Sequence, residues 1–196
     1  MRPAAFAAVA LAAAAVAPVA THAQVEAIEP TFQLDAKKDV RGPLDVVRVA
    51  MSTRTDGSLR GELTMRKAWD TADLGPRGSL CLKLYVKADP GSDIPEYLVC
   101  ATPTKEGEAL VGRVLRNKAN GLPRNVGDAA IARPTTRTIY FGFDAGAIRR
   151  PARLKFAGES VWRGSRKCPQ TTGCTDLAPN APDARDFRLR RDSRSG

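Results

Sequence analysis

The sequence predicts an all-β protein: an antiparallel two-sheet sandwich of jelly-roll type, with roughly seven to nine short strands and two disulfides. Three observations carry this expectation. Runs of alternating apolar and polar residues recur about every dozen residues and are broken by turn residues. No segment sustains an apolar stripe of helical period beyond about two turns. Four cysteines, Cys81, Cys100, Cys168 and Cys174, follow an N-terminal segment that reads as an export signal.

That segment is residues 1–23. Arg2 is a short positive start, Ala4 to Ala17 is an uncharged apolar run, Pro18 breaks it, and Thr21-His22-Ala23 puts small residues at the −3 and −1 positions. Cleavage after Ala23 is expected. The only other parts are then a single sandwich domain over residues 24–190 and a disordered basic tail over 191–196. His22 is the one histidine of the chain. A mature chain without it has no Ser-His-Asp or Cys-His site and no histidine-ligated metal. No later run is long and apolar enough for a membrane span.

The strands follow in order. Val47, Val49 and Met51 alternate with Arg48, Ala50 and Ser52; Asp56-Gly57 marks a reversal; Leu59, Gly61, Leu63 and Met65 alternate again. This is a hairpin signal with one apolar and one charged face. Residues 79–86 and 96–102 are strand-like and flank the turn-rich KADPGSDIP. A hairpin centred near residues 90 and 91 sets Cys81 directly opposite Cys100, close enough for a bond. Cys168 and Cys174 then close the short ring CPQTTGC. Residues 109–116 read as a strand, NKANGLPRNVG as a connector, and 129–132 as a short strand. Residues 136–143 place Ile139, Phe141 and Phe143 on one face. Residues 144–148 suit a single helical turn, and 153–163 place Leu154, Phe156 and Trp162 in phase. Phe187 and Leu189 alternate with arginines as a last edge strand.

One cluster suggests metal chemistry. Asp35, Asp39 and Asp45 lie within eleven residues around Gly42-Pro43. A hard cation such as Ca²⁺ takes six to eight oxygens, and such a loop supplies several. Asp176 and Asp183 supply more if the two stretches meet. Lys37, Lys38 and Arg41 leave the other reading open, in which the aspartates cap turns and pair with bases. Trp69, at a strand end in a polar loop, is the candidate for an exposed ligand-binding ring, with packing into the core as the other reading.

Asp39, Gly42-Pro43 and Asp45 leading into alternating strands, with late Trp162 and Asp176…Pro179, resemble the secreted jelly-roll modules of bacterial exoenzymes, including carbohydrate-binding-module-like and DOMON-type sandwiches. The resemblance implies a non-catalytic binding or accessory role and a structural Ca²⁺. Haem or copper, bound by some DOMON-type domains, has no ligand set here.

The chain carries a formal charge of +10, and arginine outnumbers lysine 22 to 9. Clusters lie at Arg149, Arg150 and Arg153, at Arg163, Arg166 and Lys167, and from Arg185 to Arg194. Guanidinium groups suit bidentate contacts to phosphate or carboxylate. An exported protein of this kind is expected to hold a glycan or an anionic cell-surface polymer. The lack of aromatic–basic interleaving argues against single-stranded nucleic acid. The rival class is a small secreted hydrolase using paired carboxylates. Mass spectrometry of exported protein is expected to find Gln24 as the first residue; an intact Met1 would contradict the leader.

Overall fold

The alternating runs become strands of one continuous antiparallel sheet. The computed structural model describes residues 30–35, 40, 42–87, 94–118, 120–162, 168, 173–179 and 184–189. The expected leader (1–23), Asp39, Arg163, Arg166, Lys167 and the expected tail (191–196) lie outside the described residues. The strands are β1 (Thr31–Leu34), β2 (Val46–Thr53), β3 (Leu59–Met65), β4 (Ser79–Tyr85), β5 (Tyr97–Pro103), β6 (Leu110–Arg116), β7 (Arg124–Ala132), β8 (Thr138–Phe143), β9 (Arg153–Trp162), β10 (Cys174–Ala178) and β11 (Arg185–Arg188). Their hydrogen-bonded order is β1-β2-β3-β8-β7-β6-β5-β4-β9-β10, with β11 also on β9.

The result corrects the expected two-sheet sandwich of seven to nine strands: the eleven strands form a single, nearly closed, barrel-like sheet. The reason lies in β7. NKANGLPRNVG reads as a connector, yet from Arg124 onward it is strand. Residues 124–129 of β7 pair with β6, and Ala130–Ala132 pair with β8. The strand therefore carries the ladder around the corner that would otherwise divide two sheets. Small residues at the bend, Gly127, Ala129 and Ala130, let it turn without clashing. β1 and β10 add to the count; both are short, and neither has an inner face made of apolar residues alone.

Inward faces match the alternation in β3, β8 and β9. Leu59, Leu63 and Met65, then Ile139, Phe141 and Phe143, then Leu154, Phe156 and Trp162 are all buried in one core. In β2 the phase shifts. A bulge at Val47 breaks the register between Val46 and Arg48, so Val46, Val49 and Met51 face the core rather than Val47, Val49 and Met51. Gly158 lies on an inward position of β9, where a Cβ would fall 2.5 Å from Leu63 Cδ2 and 2.8 Å from Val49 Cγ2. The missing side chain is the space that these two residues fill.

Two short crossovers cover the mouths of the barrel. Between β3 and β4, helix α1 (Thr71–Leu74) closes one mouth and buries Leu74. Asp70 and Asp73 form a reciprocal capping box at its start, with Asp70 N–H donating to Asp73 Oδ2 at 2.9 Å. Between β8 and β9, a single 3-10 turn (Ala145–Ile148) closes the other mouth and buries Ala145 and Ile148. This is the helical turn expected at 144–148.

The last gap is a seam between β1–β2 on one side and β9–β10–β11 on the other. β1 pairs with Arg48–Met51 of β2 and leaves the start of β2 uncovered. There the buried Ser160 hydroxyl donates to Leu44 O at 2.7 Å, and Val46 N–H donates to buried Asp176 Oδ2 at 2.6 Å. Ser160 and Asp176 are themselves register partners in β9 and β10. Side chains, not a strand ladder, join the seam.

Both expected disulfides form. Cys81 and Cys100 are direct partners in the β4–β5 register, with Cα atoms 4.1 Å apart. Cys168 joins Cys174 at 5.7 Å, at the start of β10. Their sequence separations are 19 and 6, so chain entropy assigns about 3 kcal/mol to the first and about 2 kcal/mol to the second. Replacing Cys81 and Cys100 by alanine is expected to lower the unfolding free energy more than replacing Cys168 and Cys174. Urea titration of the two double variants checks this ranking.

Candidate functional site: an arginine-rich barrel mouth

Antiparallel register decides which charges meet. β9 starts, β11 ends, β6 ends and β7 starts at the mouth covered by the 3-10 turn. Consequently Arg153 lies directly opposite Arg188, and Arg116 directly opposite Arg124. All four side chains are exposed. Like charges in direct cross-strand positions cost roughly 0.2–1 kcal/mol per pair. Arg153 and Arg188, one from each of two sequence clusters, are thereby brought to one place.

Arg149 and Arg150 join them. The 3-10 turn ends with Arg149 at φ 65° and Arg150 at φ 45°, two consecutive left-handed residues that are not glycine. Their amides donate to Gly146 O and Ala145 O, both at 2.9 Å. For a residue with a Cβ this conformation costs roughly 1–2 kcal/mol. Its effect is a sharp reversal that leaves both arginines exposed beside Arg153.

Three acids at this end of the barrel are turned toward backbone amides. Asp144 accepts from Gly146 N–H at 2.9 Å and lies 3.9 Å from Arg150 Nη2. Glu96 Oε2 accepts from Val86 N–H at 2.7 Å. Asp56, in the β2–β3 turn, accepts from the Ser58 hydroxyl at 2.6 Å and from its N–H at 2.9 Å. The Ser58 hydroxyl and amide hold the Asp56 carboxyl below its ordinary range. Among the described residues, Arg116, Arg124, Arg149, Arg153 and Arg188 form no ion pair.

The opposite mouth uses its bases differently. Arg66 Nε donates to Asp45 Oδ2. Arg137 Nε donates to Met65 O at 2.9 Å, and Arg133 Nη2 donates to Trp69 O. These guanidinium groups hold the fold together.

Trp69, for which the sequence leaves an exposed ring and core packing both open, is only 4% exposed. Its indole N–H donates to Arg137 O at 3.3 Å, and the Arg133 guanidinium stacks 3.9 Å from the ring centroid. The loop lies across the mouth instead of standing off it, which is why the ring packs inside. Asp35 ends β1, where its N–H donates to Val47 O at 3.1 Å. Asp45 is completely buried and bound to Arg66. Asp176 meets the start of β2, so the two acidic stretches do come together at the seam. Among the described residues no group of three or more Asp, Glu, His or Cys is placed to hold a metal ion, and no helix is long and apolar enough to cross a membrane.

Sequence reasoning found the arginine clusters at 149–153 and 185–194 but missed Arg116 and Arg124. Their only signal is position at the two ends of one connector, which becomes visible once β7 is known to start at Arg124. Comparison with protein-family models, with curated proteins and with solved structures gives no match to this chain.

Proposed function

We propose that the chain is an exported, non-catalytic binding protein that holds an anionic polymer at the cell exterior through the arginine-rich mouth. The observation that carries this reading is the pair of like-charged cross-strand partners, Arg153 with Arg188 and Arg116 with Arg124, on one mouth. Such pairs cost stability when left alone. An anion lying between the two guanidinium groups of a pair turns that cost into binding. A polymer with repeating phosphate, sulfate or carboxylate groups engages both pairs together with Arg149 and Arg150. The two disulfides suit an oxidising compartment, in keeping with export.

On immobilised heparin, the oxidised protein is expected to elute earlier as salt rises, because screening shortens the reach of exposed charge. Arg153→Glu with Arg188→Glu is expected to lower affinity about tenfold or more. The control Lys105→Glu, on an exposed loop at the opposite mouth, is expected to leave most of the affinity in place. Equal loss in the control, or retention indifferent to salt, would refute the assignment to this mouth.

A further inference from the structure

A second surface, distinct from the arginine-rich mouth, lies along the seam. β1 is an edge strand with its pattern turned inside out. Phe32 and Leu34 face outward and are 50% and 66% exposed, while Thr31 and Gln33 take the inward positions opposite Met51 and Val49. Edge strands are usually blunted by charge or proline; this one carries apolar side chains.

The backbone of β1 is also turned outward at the same residues. Asp35 N–H donates to Val47 O, which makes Asp35 and Val47 a hydrogen-bonded pair. In an antiparallel ladder such pairs alternate. Gln33–Val49 and Thr31–Met51 therefore belong to the bonded set, and Phe32–Ala50 and Leu34–Arg48 do not. The N–H and C=O groups of Phe32 and Leu34 point away from β2. They open onto a shallow groove of about 500 Å³ bordered by Pro30–Leu34 and, on the facing wall, by Arg185. Arg185 is register partner to core-facing Phe156, which puts it on the inward side of the sheet, with Thr31 and Gln33. Among the described residues it forms no ion pair.

We propose that this edge is a strand-addition site for an extended acidic segment of a partner polypeptide. An added strand takes the outward amides and carbonyls of Phe32 and Leu34 as its ladder. Side chains of the added strand alternate between the two faces. Those beside Phe32 and Leu34 are apolar, and those on the inner side meet Thr31, Gln33 and Arg185 and are acidic. A second copy of this chain is the poorer occupant, because edge-to-edge pairing brings together two chains of charge +10, each with Arg185 at the seam.

The probe is a short synthetic peptide alternating valine and glutamate, with two controls: lysine in place of glutamate, and N-methylation of the amides on one edge and then on the other. Binding to the oxidised, leaderless chain is followed by fluorescence anisotropy and by amide hydrogen exchange. The expected result is binding by the glutamate peptide, with slowed exchange at Phe32 and Leu34. The lysine peptide and one of the two N-methylated peptides are expected to bind about tenfold more weakly or worse. Leu34→Pro removes an outward donor and no β1–β2 bond, a position where an edge strand tolerates proline; it is expected to weaken the peptide equally while leaving heparin retention unchanged. Arg185→Glu is expected to reverse the preference between glutamate and lysine peptides. If Leu34→Pro does not fold, the N-methylated peptides decide the matter on the unmodified chain. Binding without protection at Phe32 and Leu34, equal binding of both charge variants, or no binding at millimolar peptide overturns the proposal. Loss of heparin retention in the arginine variants with peptide binding intact would leave this site standing without the polymer site, and the reverse result would do the opposite.

Discussion

A buried carboxylate joins the two edges of this sheet. Asp176 is 1% exposed, and its Oδ2 takes the amide of Val46, the first residue of β2. Beside it, Ser160 holds the carbonyl of Leu44. Burial magnifies the loss when one partner of such a hydrogen bond is removed. Much of the surrounding structure leans on this contact. Asp45, between the two held backbone groups, is completely buried and receives Arg66. Gly42 lies flat against the indole of Trp162, where a Cβ would come 3.3 Å from Cζ2. The Cys168–Cys174 bridge anchors the first residue of β10, the strand that delivers Asp176.

The seam and the mouths share one logic, which is where charge is spent. At the mouth covered by α1, Arg66, Arg133 and Arg137 are engaged with a carboxylate or with carbonyls. At the mouth covered by the 3-10 turn, Asp56, Glu96 and Asp144 accept from backbone amides, and Arg116, Arg124, Arg149, Arg153 and Arg188 form no ion pair among the described residues. Net charge alone is a statement about solubility and nonspecific attraction. The pairing of like charges across strands at one end, set by register, is what supports reading it as a binding surface.

Local signals in the sequence were sound where neighbours in sequence are neighbours in space. Asp56-Gly57 between alternating runs marks the β2–β3 hairpin, and the symmetric placement of Cys81 and Cys100 about their turn marks the register of β4–β5. Those features depend on period-2 patterning and turn chemistry alone. β7 was hidden because its first half, RNVGD, is polar and glycine-containing and faces solvent along much of its length. β1 and β10 were hidden for a related reason: the inward positions of β1 hold Thr31 and Gln33, and the middle of β10 holds Asp176, so neither strand has an apolar inner face to read. For Trp69 the sequence leaves exposure and core packing both open; the ring packs because the polar loop that carries it crosses a barrel mouth. The candidate site was half legible. The arginine clusters stand in the sequence, but that Arg153 meets Arg188 is a fact of register.

Equilibrium unfolding in urea of the oxidised chain against Asp176→Ala tests most directly whether this contact holds the seam. Losing a buried backbone-to-side-chain bond of this kind is predicted to lower the unfolding free energy by about 1–3 kcal/mol. The cost falls on the contact that joins β2 to β10, so the midpoint drops while the transition stays cooperative. A change smaller than about 0.5 kcal/mol, the size expected of an ordinary surface substitution, would show that the seam is held by something else.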